Sequence, residues 1–161
     1  MQIAGKDIKD YIKIITIPVV IAAALSIIRS AMDLVGIVVV RVPVLAVLSC
    51  LTGIVGLIIT IISFVILLAV AGWVGWNTVK KMNGTLINAL ISGVIFGFVA
   101  GLISAIFSII VSIINMILGF SAIGAAVGIV TMVVTLIAAP IIGVIIGGVC
   151  AAIGAIIAGG K

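Results

Sequence analysis

Long apolar runs dominate the chain, and a few turn-forming or charged stretches separate them. Breaks fall at 41–43, where an arginine and a proline stand close together, at 77–84, which holds two Asn, two Lys and a Gly, and at 118–124. A helix of about 20 apolar residues can cross the hydrocarbon core of a bilayer. The pattern therefore predicts one all-α integral membrane domain over 1–161, an up-down bundle of about four Gly-rich transmembrane helices at about 14–40, 44–77, 84–118 and 122–158.

The first residues show a different, amphipathic pattern. Apolar side chains share one helical face at the i, i+3, i+4, i+7 spacing, while lysines and aspartates occupy the rest. This pattern predicts an interfacial helix over 3–17 that lies in the headgroup layer. The same residues could instead form the solvated first turns of the first span, and Pro18 permits a kink at the junction.

Small residues recur at every fourth position in the third run. Each four-residue step turns only about 40° around a helix, so they form a slowly winding ridge. Small residues let two helices approach closely in lipid, so the pattern predicts a helix contact. Bulky residues such as Phe96 are expected on the opposite, lipid-facing side. The predicted ridge comprises Ala89, Gly93, Gly97, Gly101 and Ala105.

The fourth run carries a similar series at Gly143, Gly147 and Ala151. Pro140 either kinks this helix or divides it into two short segments. The spacing of Gly93, Gly97 and Gly101 is similar to the glycine-zipper pattern of some channels and pore-forming proteins, over about a tenth of the chain. This resemblance concerns the spacing of the glycines.

Four polar residues follow the ridge on nearly the same side of the third helix. Such side chains often bond the carbonyl four residues earlier or a neighbouring helix. Alternatively, they form a hydrophilic path for water or ions. The residues concerned are Ser104, Ser108, Ser112 and Asn115.

Composition places the chain in a membrane. Hydrophobic residues make up 66% of it and charged residues 7%, against roughly a quarter in ordinary soluble domains. Mean hydropathy is +1.77. A soluble protein could not cover its surface with so few polar residues. An integral membrane protein is expected, with the hydrophobic subunit of a virion or filament as the alternative, because the apolar runs exceed one bilayer crossing.

The few cations predict an orientation. Six lysines fall on one side of a four-span topology, against two arginines on the other. Lysine and arginine favour the cytoplasmic side, so we expect a multi-pass protein of the cell membrane with both termini cytoplasmic. Trp73 and Trp76 precede Lys80 and Lys81, and this combination is typical of an anchor at the membrane interface.

Arg29 and Asp33 have the i, i+4 spacing of a helical ion pair. Ionisable residues within a membrane often mark a permeation path. The pair could equally lie at the outer interface and end the first span. Both interpretations stay open at this level.

Residues for catalysis are scarce. The chain has no histidine and only three acids, so few side chains could act as general acids or bases. Cys50 and Cys150 are a hundred residues apart and fit no metal pattern. They are expected at different depths, as free thiols. We therefore expect no enzyme, no cofactor and no nucleic-acid partner.

Three functional hypotheses follow. The first is a non-enzymatic membrane protein that packs, and associates with copies of itself, through small-residue faces, with the bilayer as its other partner. The second is a channel or transporter with its path along the polar residues of the third helix. The third is a structural subunit of a virion or filament.

Overall fold

The computed structural model describes residues 2–41, 49–119 and 122–160. Within these ranges the chain is an all-α membrane bundle with a short N-terminal hairpin, as the sequence predicts for the fold class. Each helix is long and apolar enough to cross a membrane. At 1.5 Å per residue the helices measure about 51–54 Å, well beyond the roughly 30 Å hydrocarbon core. The elements are β1 Gln2–Ile3, β2 Lys6–Asp7, α1 Ile8–Arg41, α2 Ser49–Met82, α3 Leu86–Gly119 and α4 Ala122–Ile157.

The N-terminal segment departs from the prediction. β1 and β2 pair antiparallel across Ala4 and Gly5, whose φ angles of 50° and 76° are those of a type I′ turn. The chain then enters α1, which continues through the buried Pro18. Residues 8–17 therefore form the first turns of α1, as in the second interpretation, and no separate helix covers 3–17. The apolar face of these turns, with Tyr11 and Ile15, packs on the bundle instead, because neighbouring helices supply an apolar surface there.

The helix ends refine the predicted bounds. α2 continues to Met82 rather than ending near 77, and Asn83, with a φ of 47°, turns the chain towards α3. The Gly84 N–H donates to the Thr78 carbonyl at 3.2 Å. α4 runs unbroken through Pro140. The predicted break at 41–43 falls largely outside the described residues, as does the predicted start of the second helix at 44. Of the predicted break at 118–124, residues 118–119 end α3, residues 122–124 begin α4, and 120–121 lie outside the described residues.

α4 ends in a glycine motif. Gly159 has a φ of 82°, and the Gly160 N–H donates to the Ala155 carbonyl at 2.9 Å. A left-handed glycine followed by this bond is the Schellman ending of a helix.

The helices pack in up-down order. α3 and α4 make the most extensive contact, α2 also packs on α4, and α1 packs on α2 and α3. Tyr11 contacts Asn88, and Gly160 lies beside Val79, so the starts of α1 and α3 and the ends of α2 and α4 share one end of the bundle.

Every buried residue of the described helices lies towards that shared end. We call this part, which also carries Lys9, Lys13, Lys80 and Lys81, the basic half, and the remainder the distal half. A cluster with Ile15 of α1, Val74 of α2 and Phe96 of α3 forms its centre. The basic half comprises 8–22, 70–82, 86–105 and 140–157, and the distal half comprises 23–41, 49–69, 106–119 and 122–139.

Candidate functional site

The structure places the predicted ridge along the contact between α3 and α4. A Cβ added to Gly97 would overlap the carbonyl group of Gly143, and one added to Gly143 would overlap the Gly97 carbonyl oxygen. Gly93 and Gly147 face each other in the same way. At Gly101 an added Cβ would lie 2.6 Å from the Ala139 carbonyl oxygen. The two backbones are in direct contact here, which only glycine permits.

Alanines complete the ridge. Ala89 and Ala105 are fully buried. Ala151 lies between two helices, since its backbone meets the added Cβ of Gly75 in α2 and its own Cβ meets that of Gly93 in α3. Larger side chains at these positions would separate the helices.

A second glycine contact, between α2 and α4, is absent from the sequence prediction. Gly154 lies against the backbone of Gly72, and Gly75 lies against that of Ala151. Gly72 and Gly75 are three residues apart, whereas the ridge residues are four apart, and the adjacent tryptophans are typical of the membrane interface. The pattern of the ridge therefore does not predict this contact.

Phe96 does not face lipid, contrary to the sequence prediction. It is 1% exposed and packs with Ile15 of α1 and with Val74 of α2. One residue turns a helix by about 100°, so Phe96 flanks Gly97 rather than opposing it. Because α3 contacts all three other helices, its protein-facing side is wider than the ridge.

Polar side chains join the helices at the basic end. The Tyr11 hydroxyl and the Asn88 amide are 2.8 Å apart. In the amide orientation that satisfies both groups, the Asn88 nitrogen donates to Tyr11 and to the Ala4 carbonyl at 3.2 Å, while its oxygen accepts from the Thr85 N–H at 3.3 Å. Asn88 thus ties α3 to both α1 and the N-terminal hairpin.

A second polar contact joins α2 and α3 beside it. The Thr78 hydroxyl lies 2.9 Å from the Ser92 hydroxyl, which donates to the Asn88 carbonyl at 2.9 Å. Thr78 and Ser92 are fully buried, and no buried side-chain polar atom lacks a partner in the described ranges. The sequence prediction omitted these residues, although the i, i+4 spacing of Asn88 and Ser92 beside a turn was visible.

A cavity of about 510 Å³ opens between the four helices, further along the bundle. Its inner end is formed by Ala22, Ala71 and Phe96, all buried, and its outer end includes Arg29 and Ser104. The walls are mostly apolar. We call it the central cavity. Its volume falls within the range of about 300–1,000 Å³ typical of ligand pockets.

Only part of the predicted polar path lies at the central cavity. Ser104 lines the central cavity. Ser108 and Ser112 are half-buried, and Asn115 is exposed. Arg29, which also lines the cavity, and Asp33 are both exposed, and no ion pair joins them in the described part of α1.

The predicted interface anchors lie together on α2. Trp73 and Trp76 are each 40% exposed. The Lys80 ammonium nitrogen lies 5.7 Å from the centroid of the Trp76 ring, which is a cation–π distance. Lys81 and Trp73 line a groove of about 290 Å³ against the start of α1.

The potential metal ligands among the described residues are not grouped into a site. Among the residues described, no three His, Cys, Asp or Glu side chains could hold a metal ion. Cys50 is exposed and Cys150 half-buried, and both are free thiols.

No known protein-family model matches this chain, and no curated protein or solved structure matches it. Its function must therefore be argued from the geometry of its helices and cavity.

Proposed function

We propose that this chain is a non-enzymatic, multi-pass protein of the cell membrane, which serves as a structural unit held together by small-residue helix contacts. The observation that carries the proposal is the mutual backbone contact of Gly97 and Gly143. Lipid tails solvate apolar side chains as well as a protein does, so helix association in a bilayer depends on close packing and hydrogen bonds. The scarcity of acids and the lack of histidine support a non-enzymatic role.

The ridge acts within one chain. Gly93, Gly97 and Gly101 are covered by α4, so they are not free to contact another copy. Self-association, the other part of the hypothesis, needs a different surface. Gly53 and Gly56 of α2 have no atom within 4 Å of an added Cβ and belong to such a surface.

Thermal unfolding in detergent tests the packing proposal. Gly97→Leu should lower stability by about 3 kcal/mol, the upper part of the range for overpacked sites, because the side chain must enter the α4 backbone. Gly36→Leu in α1, where an added Cβ would also meet no atom within 4 Å, is the matched control and should be neutral or slightly stabilising, since glycine costs up to about 1 kcal/mol in helix propensity. A higher midpoint for Gly97→Leu would refute the proposed contact.

The proposed orientation has both termini in the cytoplasm. Its support is that Lys9, Lys13, Lys80 and Lys81 lie in the same half of the bundle. Cytoplasmic segments are enriched in such residues. A cysteine at the exposed Asn83, in a Cys50→Ala, Cys150→Ala background, should resist a membrane-impermeant thiol reagent added outside intact cells. Ready labelling would reverse the orientation.

Transport is the second candidate, and the central cavity is the observation that favours it. Towards the basic end the cavity reaches the buried side chain of Phe96, so a carrier fits this geometry better than a continuous pore. Flux measured in reconstituted vesicles separates the two functions. Flux that Ser104→Leu abolishes without loss of thermal stability would favour transport, whereas no flux above empty vesicles favours the structural role.

A further inference from the structure

We propose that the central cavity binds an anionic phospholipid, with one acyl chain between the helices and the phosphate at Arg29. This inference goes beyond the structural role above and does not depend on it. It rests on the shape of the cavity, on the chemistry of its walls and on the position of Arg29.

The shape suits a hydrocarbon chain. Along α1 the lining extends from Ala22 to Arg29, about 10 Å, and along α2 from Thr60 to Ala71, about 16 Å, at 1.5 Å per residue. The inner end has buried apolar side chains, and all four helices contribute walls. The cavity is therefore a slot that lies along the helices, as lipid tails do in a bilayer.

Four of the described lining residues, Ser26, Thr60, Ser63 and Ser104, carry hydroxyl groups, and two of these groups are used within their own helices. The Ser26 hydroxyl donates to the Ala22 carbonyl at 2.9 Å, and the Thr60 hydroxyl donates to the Gly56 carbonyl at 2.9 Å. Each donor is thus used within its own helix. A water molecule in a cavity needs two to four polar partners, so these walls favour a hydrocarbon over a column of water.

Among the described residues of the lining, Arg29 alone is charged. Its guanidinium group makes no hydrogen bond or ion pair with another described residue, Asp33 included. A guanidinium group offers five donors in a fork that matches phosphate oxygens. An unpaired cation at the edge of an apolar slot thus selects a ligand that combines a hydrocarbon chain with an anionic head.

The depth of Arg29 points to a phospholipid. Sixteen residues separate it from Lys13 along α1, which corresponds to about 24 Å. The hydrocarbon core is roughly 30 Å thick. With Lys13 near one interface, the long Arg29 side chain can reach the phosphate layer at the other.

Native mass spectrometry of the full chain, released from detergent after addition of equal amounts of phosphatidylglycerol and phosphatidylcholine, tests the proposal. We expect the wild-type protein to retain one phosphatidylglycerol per chain in preference to phosphatidylcholine. Arg29→Gln should reduce this preference by about tenfold or more, because hydrogen bonds to charged groups are the stronger ones. Arg29→Lys should retain part of it, and Asp33→Asn, one turn further along, should not reduce it.

Two filling variants test the slot itself. Ser104→Phe and Ser63→Phe add bulk from α3 and α2 and should reduce the retention of both lipids. Thermal midpoints of all variants establish that the bundle is folded, and the Arg29 pair stays informative if a filling variant is unstable. Equal retention of the two lipids by the wild type, or unchanged retention in Arg29→Gln, would overturn the proposal. Retention of a free fatty acid but not of phosphatidylglycerol would overturn the assignment to a phospholipid.

Discussion

The basic and distal halves are built from the same four helices, yet among the side chains that the structure describes only those of the basic half form a packed interior. In α2, Gly72 and Gly75 lie against the backbone of α4, whereas Gly53 and Gly56 face open space. Both pairs have the same residue type and three-residue spacing. What differs is the facing helix, which offers Gly154 and Ala151 to the first pair. A glycine becomes a contact only where the opposing helix also presents a small residue.

Polar residues follow the same division. Asn77, Thr78, Asn88 and Ser92 are buried in the basic half. In the distal half, the Thr60 hydroxyl bonds a carbonyl of its own helix. Hydropathy selects the segments that enter the membrane, but paired small and polar residues determine where those segments pack on one another.

The largest effect should come from a phenylalanine pair on α3. Phe96→Ala should destabilise the protein by about 3 kcal/mol, because it leaves a cavity among buried side chains. Phe98, two residues further along, is 47% exposed. Phe98→Ala should change stability by no more than about 0.5 kcal/mol. Thermal unfolding in the same detergent gives both values, and similar losses would show that the basic half has no packed centre.

A threonine pair on α2 tests the polar contacts with a smaller effect. Thr78→Val removes the bond to Ser92 of α3 while keeping the side-chain shape, and should cost about 1 kcal/mol, as interhelical hydrogen bonds in membranes do. Thr60→Val removes only a bond within α2. Its effect should stay within about 0.5 kcal/mol. If Thr60→Val proved the more harmful, polar contacts would not distinguish the halves.

The two cysteines allow the halves to be compared by thiol labelling, without a substitution that changes stability. Cys50 of the distal half is exposed, while Cys150 is half-buried in the basic half. A small apolar maleimide should therefore label Cys50 first in the folded protein, and both thiols after unfolding. Mass spectrometry of the labelled peptides measures the order. Faster labelling of Cys150, or a disulfide between the two, would contradict the proposed packing.

The sequence predicts the helices well because their breaks are chemically distinct. Lys80, Lys81 and Gly84 mark the turn between α2 and α3, although Asn77 and Thr78 suggest too early an end for α2. These two residues stay helical because both are buried within the bundle. A polar residue near a turn can belong either to the loop or to a buried contact, and periodicity does not separate the two.

Other features depend on what packs against a given helix face. The sequence of a single helix does not specify this. The amphipathic pattern of Tyr11 and Ile15 suits lipid and protein equally, and the structure has protein there. Phe96 is buried because α3 has neighbours on more than one side. The central cavity arises from the relative positions of four helices. No single segment encodes it, and of its polar lining residues the sequence prediction includes only Arg29 and Ser104.

The contact between Tyr11 and Asn88 has a consequence for biosynthesis, since it joins residues 77 positions apart. At about 5–20 residues per second, roughly 4–15 s pass between their appearances during translation. α1 is therefore made several seconds before the residues of α3 with which it interacts. α4 follows later still, so the glycine faces of α3 have no partner until the last helix is made. The most extensive contact of the fold is therefore also the last to assemble.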